Sequence, residues 1–121
     1  MPAGTILIVQ HDFLAAERLR LLLEQAGYVV VGVASRTSDA NELAEQHRPD
    51  LAIVDMMLEI DVDGICAATA LAQAHKVKIL ITTGFPDPVI QAEGVPDLAC
   101  AIVKKPYSDE DLLAAVARCL T

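Results

Sequence analysis

The sequence predicts an α/β fold: a doubly wound parallel sheet of five strands with helices on both faces. Three observations predict it. Five short apolar runs rich in β-branched residues recur along the chain, TILIV (5–9), YVVVGV (28–33), LAIV (51–54), VKILIT (77–82) and LACAIV (98–103). Stretches with helical periodicity separate them, and strands that alternate with helices build parallel sheets through right-handed crossovers. The runs also stop abruptly at polar residues, most clearly at Gln10-His11-Asp12, Asp55, Thr83-Gly84 and Lys104-Lys105-Pro106. In open α/β sheets, ligands and chemistry collect at the carboxyl ends of the strands.

The first run is followed by a predicted helix over 14–26, with Ala15, Leu19, Leu22 and Ala26 on its buried face and Gly27 at its C-cap. After the second run, Thr37 or Ser38 suits the cap of a second helix with a buried face of Ala40, Leu43, Ala44 and His47. His47, near that helix's end, reads as a solvated residue compatible with the helix dipole. Pro49 stops the helix, and the third run ends in Asp55, because a charge cannot remain unpartnered inside an apolar strand. The loop of residues 56–63 carries Glu59, Asp61 and Asp63. Gly64 follows, and a third helix is expected through Ala72. Pro86, Pro88, Gly94 and Pro96 crowd the stretch after the fourth run. There Asp87 and Pro88 start a fourth helix that is short or broken. The last helix begins at the capping box Ser108-x-x-Asp111, ahead of Leu112, Leu113, Val116 and Leu120.

Length and composition fit one domain over 1–121, with a core of about 5–120. Apolar residues make up 54% of the 121 residues and aromatics only 3%, as in a compact α/β protein. Seventeen acidic residues against nine basic ones give a net charge of −8, which argues against nucleic acid and anionic membranes as partners. No leader and no apolar run of spanning length is present in the sequence. Cys66, Cys100 and Cys119 are odd in number and lack metal-type spacing, so buried thiols in a reducing cytosol are expected.

Two strand orders are open. The order 2-1-3-4-5 gathers Gln10, His11, Asp12, Asp55, Thr83 and Lys105 at one edge. The order 3-2-1-4-5 would separate Asp55 from His11 by a strand. The gathered set has a chemical logic. A carboxylate can attack a phosphoryl group and form an acyl phosphate, and the transferring group needs cations and donors around its oxygens. Lys105 offers a point charge, Thr83 a hydroxyl, and a Mg²⁺ held by carboxylate, carbonyl and water would complete the set.

On these residues the chain resembles a response-regulator receiver domain over essentially its whole length. The matching pieces are ILIV, PDLAIVD ending in Asp55, Asp63-Gly64, ITTG with Thr83, and VKKPYSDEDLLAAV with Lys105-Pro106. The resemblance implies a flavodoxin-like sheet in the order 2-1-3-4-5. It implies Asp55 as phosphoacceptor, Thr83 as the residue coupling phosphorylation to loop movement, and Lys105 on the phosphoryl group. It also implies Mg²⁺ bound by Asp55, by the main-chain carbonyl of Met57, and by His11 or Asp12. Four departures stand out: the family's acidic pair is Gln10 and His11, its switch aromatic is Ile102, the fourth helix is broken, and the loop after Asp55 is a residue longer. They resemble a divergent receiver subgroup.

The leading expectation is a stand-alone, cytoplasmic receiver that is not an enzyme. It would take a phosphoryl group from a histidine kinase or phosphotransfer protein. It would then signal to a downstream protein through the fourth helix, fifth strand and last helix, a homodimer being compatible. With no output domain after Thr121, the effect would pass through a partner. The alternative is a pseudo-receiver interaction module that is not phosphorylated, because Gln10 and His11 replace the acids. An aspartyl phosphatase would carry an Asp-x-Asp pair after the first strand, and a flavin module a Ser/Thr/Gly-rich phosphate loop; neither is present.

Overall fold

The computed structural model describes residues 4–56, 63–92 and 94–121, with backbone alone at 63–65. Its strands are β1 (Thr5–Val9), β2 (Val29–Ala34), β3 (Leu51–Asp55), β4 (Lys78–Thr83) and β5 (Ala101–Lys104). They form one parallel sheet in the order β2-β1-β3-β4-β5, as expected. The helices are α1 (Phe13–Gln25), α2 (Thr37–His47), α3 (Asp63–His75), α4 (Asp87–Ala92), α5 (Val95–Leu98) and α6 (Asp109–Leu120).

Alternation along the strands divides the core into two layers. Leu7, Val9, Ala52, Val54, Ile79 and Ile81 face α2 and α3. Ile6, Ile8, Leu51, Ile53, Leu80 and Val103 face α1 and α6. β1 and β3 are fully covered, which is why they read as unbroken apolar runs rather than alternating ones. The Asp50 carboxylate accepts hydrogen bonds from the Thr5 amide at 3.0 Å and its hydroxyl at 3.1 Å, which ties the starts of β1 and β3.

The helix faces differ in detail from the sequence reading. α1 buries Ala16, Leu19 and Leu23 rather than the stripe through Ala15, Leu22 and Ala26. Asp12 caps it, accepting from the amides of Leu14 at 3.0 Å and Ala15 at 3.2 Å. Both stripes share Leu19 and both satisfy the helical period, so periodicity alone does not choose between them. In α2 the N-cap is Arg36, without a side-chain cap, and Thr37 is already helical. Ala40 and Ala44 are buried, Leu43 is half-buried and His47 is exposed, so His47 does not belong to the predicted buried face and is solvated instead. Leu43 packs on Gly32, where an added Cβ would meet its Cδ1 at 2.9 Å.

The proline-rich stretch resolves into two short helices instead of one. Ile90 and Val95 anchor them in the core. Gly94 takes a left-handed conformation (φ 73°) that lets Pro96 sit in the first turn of α5. Leu98 therefore ends α5, and β5 begins at Ala101 rather than at Leu98. The cysteines also depart from expectation. Cys100 and Cys119 form a disulfide across a Cα–Cα distance of 5.8 Å, and Cys66 is exposed. The turn before β5 lies beside the end of α6, so residues 19 apart in sequence meet.

Candidate functional site

The parallel register fixes which residues meet at the carboxyl edge. Asp55 pairs with Thr82 across β3 and β4. The Met56 amide donates to the Thr82 carbonyl at 3.0 Å, and the Lys105 amide donates to that of Thr83 at 2.8 Å. Backbone pairing alone thus brings Asp55, Thr83 and Lys105 to one place. On the other side of β3, the Gln10 amide continues the β1–β2 ladder by donating to Ala34 O at 2.8 Å.

Asp55 is only 3% exposed, so its carboxylate depends on partners that compensate for lost water. Lys105 Nζ donates to Asp55 Oδ2, from a side chain that is itself 40% exposed. Gln10 Nε2 donates to the same oxygen at 2.8 Å. Gln10 is oriented in turn, because its Oε1 accepts from the Asp12 amide at 3.1 Å. A carboxylate, an ammonium and an amide therefore converge, a pocket in which a phosphoryl group's oxygens would find a cation and a neutral donor.

Thr83 is buried at the end of β4. Its hydroxyl donates to Met56 Sδ at 3.3 Å and accepts from the Phe85 amide at 3.0 Å. Tyr107 lies half-buried in the groove between α1 and the loop after β5, among Ala15, Arg18, Leu22 and Lys105. Burial pushes its phenol above the ordinary tyrosine value, and the nearby Asp55 charge pushes it further. Ile102 is half-buried against the layer beneath α3 and α5. Lys104 reaches across to Asp87 at the start of α4, with Nζ 2.6 Å from Oδ1.

Of the ligands expected for a divalent cation, the described side chains of His11 and Asp12 are placed elsewhere. His11 is exposed and lines an open groove with Phe13, Val33 and Leu43. The Asp12 carboxylate is committed to the start of α1. Met57 lies outside the described residues, as do Glu59, Asp61 and the side chain of Asp63. Among the described residues no group of three His, Cys, Asp or Glu side chains is placed to hold a metal ion. Among the described residues Asp55 is the one carboxylate at the pocket, and its Oδ2 accepts from Gln10 and Lys105. The described donors alone do not fit Mg²⁺, which prefers carboxylate and water oxygens.

Sequence reasoning identified Asp55, Thr83 and Lys105 correctly as neighbours. It did not foresee that Gln10, rather than His11 or Asp12, contacts Asp55, nor that Met56 and Tyr107 belong to the site. Met56 carried no signal beyond its place after Asp55. Tyr107 was legible as an aromatic two residues beyond Lys105.

The sequence matches the family model of the response regulator receiver domain over residues 6–117. It is 34% identical over 111 residues to the transcriptional regulatory protein PdtaR of Mycobacterium tuberculosis, covering 92% of this chain and 54% of PdtaR. It is 29% identical over 119 residues to the phyllosphere-induced regulator PhyR of Methylorubrum extorquens, covering 98% of this chain and 44% of PhyR. The chain thus spans about half the length of the curated relatives it matches. Among solved structures, the signal receiver domain of a modulated diguanylate cyclase from Desulfovibrio desulfuricans superposes with a TM-score of 0.86 at 31% identity, covering 97% of this chain and 93% of that one.

Proposed function

Because the chain belongs to the response regulator receiver family, we propose that Asp55 accepts a phosphoryl group from a phosphohistidine donor and that the acyl phosphate is read by a protein partner. One observation carries the reading: a buried carboxylate at the end of a central strand, held by Lys105 at the same edge as Thr83. In the transfer, an Asp55 oxygen attacks phosphorus in line while the donor's N–P bond breaks. The leaving imidazole keeps the electron pair. Lys105 follows the growing charge on the phosphoryl oxygens, and burial strengthens that attraction by excluding water.

Receiver domains are in general signalling domains rather than enzymes, and they generally bind Mg²⁺ at this pocket. The residues described here do not supply that ligand set, so no step above is routed through a metal. The partners on this reading are proteins: a histidine kinase or phosphotransfer protein upstream and a target downstream. A net charge of −8 is in keeping with neither nucleic acid nor an anionic membrane as partner. No described helix is long and apolar enough to cross a membrane. A cytoplasmic location is part of this reading. The target surface would comprise α4, α5, β5 and α6, where the Lys104–Asp87 ion pair links the strand end to the first of these helices.

Incubation with phosphoramidate, followed by intact-mass measurement, tests the proposal. One added phosphoryl group on the native protein and none on Asp55→Asn is the expected result. A second reading, a pseudo-receiver that binds partners without phosphorylation, is favoured by Gln10 in place of an acid at Asp55. It predicts no label on the native protein from either phosphoramidate or a phosphohistidine donor.

A further inference from the structure

We infer that Gln10 makes this acceptor site independent of a divalent cation: its amide, locked as a donor, acts on Asp55 where a metal ligand would otherwise stand. The inference rests on the phosphoacceptor reading above and concerns how the transfer is supported.

The locking is visible in three linked contacts. The Asp12 amide donates to Gln10 Oε1 at 3.1 Å, which fixes which end of the side-chain amide points away from Asp55. The opposite end, Nε2, therefore faces Asp55 Oδ2 at 2.8 Å and can only donate there. Asp12 is itself fixed, because its carboxylate caps α1 through the amides of Leu14 and Ala15. Helix capping, backbone and side chain thus form one rigid relay that ends on the reacting carboxylate. Gln10 is 9% exposed, so the arrangement is held largely out of water, where a donor aimed at developing charge has its greatest effect.

A carboxylate at this position would do the opposite. Beside Asp55 it would repel the acceptor's charge and require a cation between the two. Gln10 reverses that requirement. The two donors on Oδ2 are an ammonium-bearing lysine and a neutral amide, so among the described residues the Asp55 carboxylate faces one cation, Lys105, and no second carboxylate. The transfer itself is balanced without a metal. The donor's N–P bond breaks as an O–P bond to Asp55 forms, and the leaving nitrogen keeps the electron pair and takes a proton from water.

The test compares the native protein with Gln10→Glu and Gln10→Ala, using phosphoramidate with either EDTA or millimolar Mg²⁺. Gln10→Glu keeps the side chain's size and the acceptor for the Asp12 amide, and replaces the donor with a second negative charge beside Asp55. The native rate should be the same in EDTA and Mg²⁺. Gln10→Glu should lose labelling in EDTA and regain it with Mg²⁺. Gln10→Ala should be slow in both, by roughly 100-fold, the usual cost of removing one donor at developing charge. Circular dichroism of each variant separates these effects from misfolding. A readout independent of phosphorylation is paramagnetic broadening of the Asp55 and Met56 amide resonances by Mn²⁺, expected for Gln10→Glu and absent for the native protein. Native labelling that stops in EDTA, or native broadening by Mn²⁺, overturns the inference. So does an unlabelled native protein beside a labelled Gln10→Glu in Mg²⁺, which leaves the acceptor reading standing. If no form is labelled under any condition, the acceptor reading fails and the transfer role of Gln10 falls with it.

Discussion

The hydroxyl of Thr83 donates its one proton to the sulfur of Met56, 3.3 Å away, inside the fold and one residue beyond Asp55. A hydroxyl that turned towards a phosphoryl group on Asp55 would have to leave this bond. Met56→Leu removes the acceptor while nearly conserving volume. In a double-mutant cycle with Thr83→Val, the coupling between the two positions should be about 1 kcal/mol, the usual net worth of a buried hydrogen bond. Urea unfolding of the four proteins measures it. A coupling indistinguishable from zero would mean that the sulfur contributes nothing to holding the hydroxyl.

Tyr107 reports on Asp55 from the other side. Its phenol is raised first by burial and then by the Asp55 charge, so the fold favours the protonated form. The stability this gives is complete below the unfolded tyrosine value of about 10 and is lost as pH rises through the higher folded value. In a Tyr28→Phe background, absorbance near the phenolate band follows Tyr107 alone. Adding Asp55→Asn should move its titration to lower pH, since one of the causes that raise it is gone. A midpoint that does not move would show that the Asp55 charge is not felt at Tyr107.

These two neighbours mark the limit of what sequence could tell. Asp55 was legible because a charge has to lie at the end of an apolar strand, and Lys105 because it follows the last such strand. Their convergence needed only the strand order, which the alternation of strands and helices constrained. The contact between Gln10 and Asp55 was of another kind. Up to Val9 the residues of β1 alternate between the two core layers, but past the strand end nothing in the pattern says whether Gln10 or His11 turns inward. Capping by Asp12 settles it, by starting α1 at Phe13 and holding Gln10 Oε1. The disulfide was hidden for a similar reason. Cys100 and Cys119 meet only because the short helix α5 shortens β5 and sets Cys100 beside the last turn of α6.

The stretch of residues 85–97 is the part of the fold best placed to respond to Asp55 chemistry. Phe85 follows Thr83 closely and donates its amide to the Thr83 hydroxyl at 3.0 Å. α4 and α5 are only 6 and 4 residues long and rest on Ile90 and Val95. Ile102 has no ring to flip, so movement of the helices themselves is the available response. Hydrogen exchange on the phosphoramidate-treated protein should change most across this stretch, short helices having the lowest local opening energies. The exposed Lys104–Asp87 pair should matter little to stability, with Lys104→Ala costing at most about 0.5 kcal/mol. Unchanged exchange at 85–97 with large changes elsewhere would place the switch in another element.

The disulfide should stabilise the fold without touching the chemistry. It joins Cys100, in the turn before β5, to Cys119 in the last turn of α6, at the amino edge of the sheet. Asp55 lies at the carboxyl edge. Closing a loop of this separation restricts the unfolded chain by about 3 kcal/mol on the loop-entropy account. Cys100→Ser is the cleaner variant, since Cys100 is exposed whereas Cys119 is buried. Its unfolding free energy should fall by about that amount. The end of α6 should still be held, because Lys78 Nζ also donates to the Cys119 carbonyl at 2.9 Å. Alkylation in denaturant should modify one thiol, Cys66, before reduction and all three afterwards. The rate of Asp55 phosphorylation should be the same for Cys100→Ser and the native protein. Three reactive thiols before reduction would remove the disulfide from the account. A slowed phosphorylation in a folded Cys100→Ser would show instead that the two edges of the sheet are coupled.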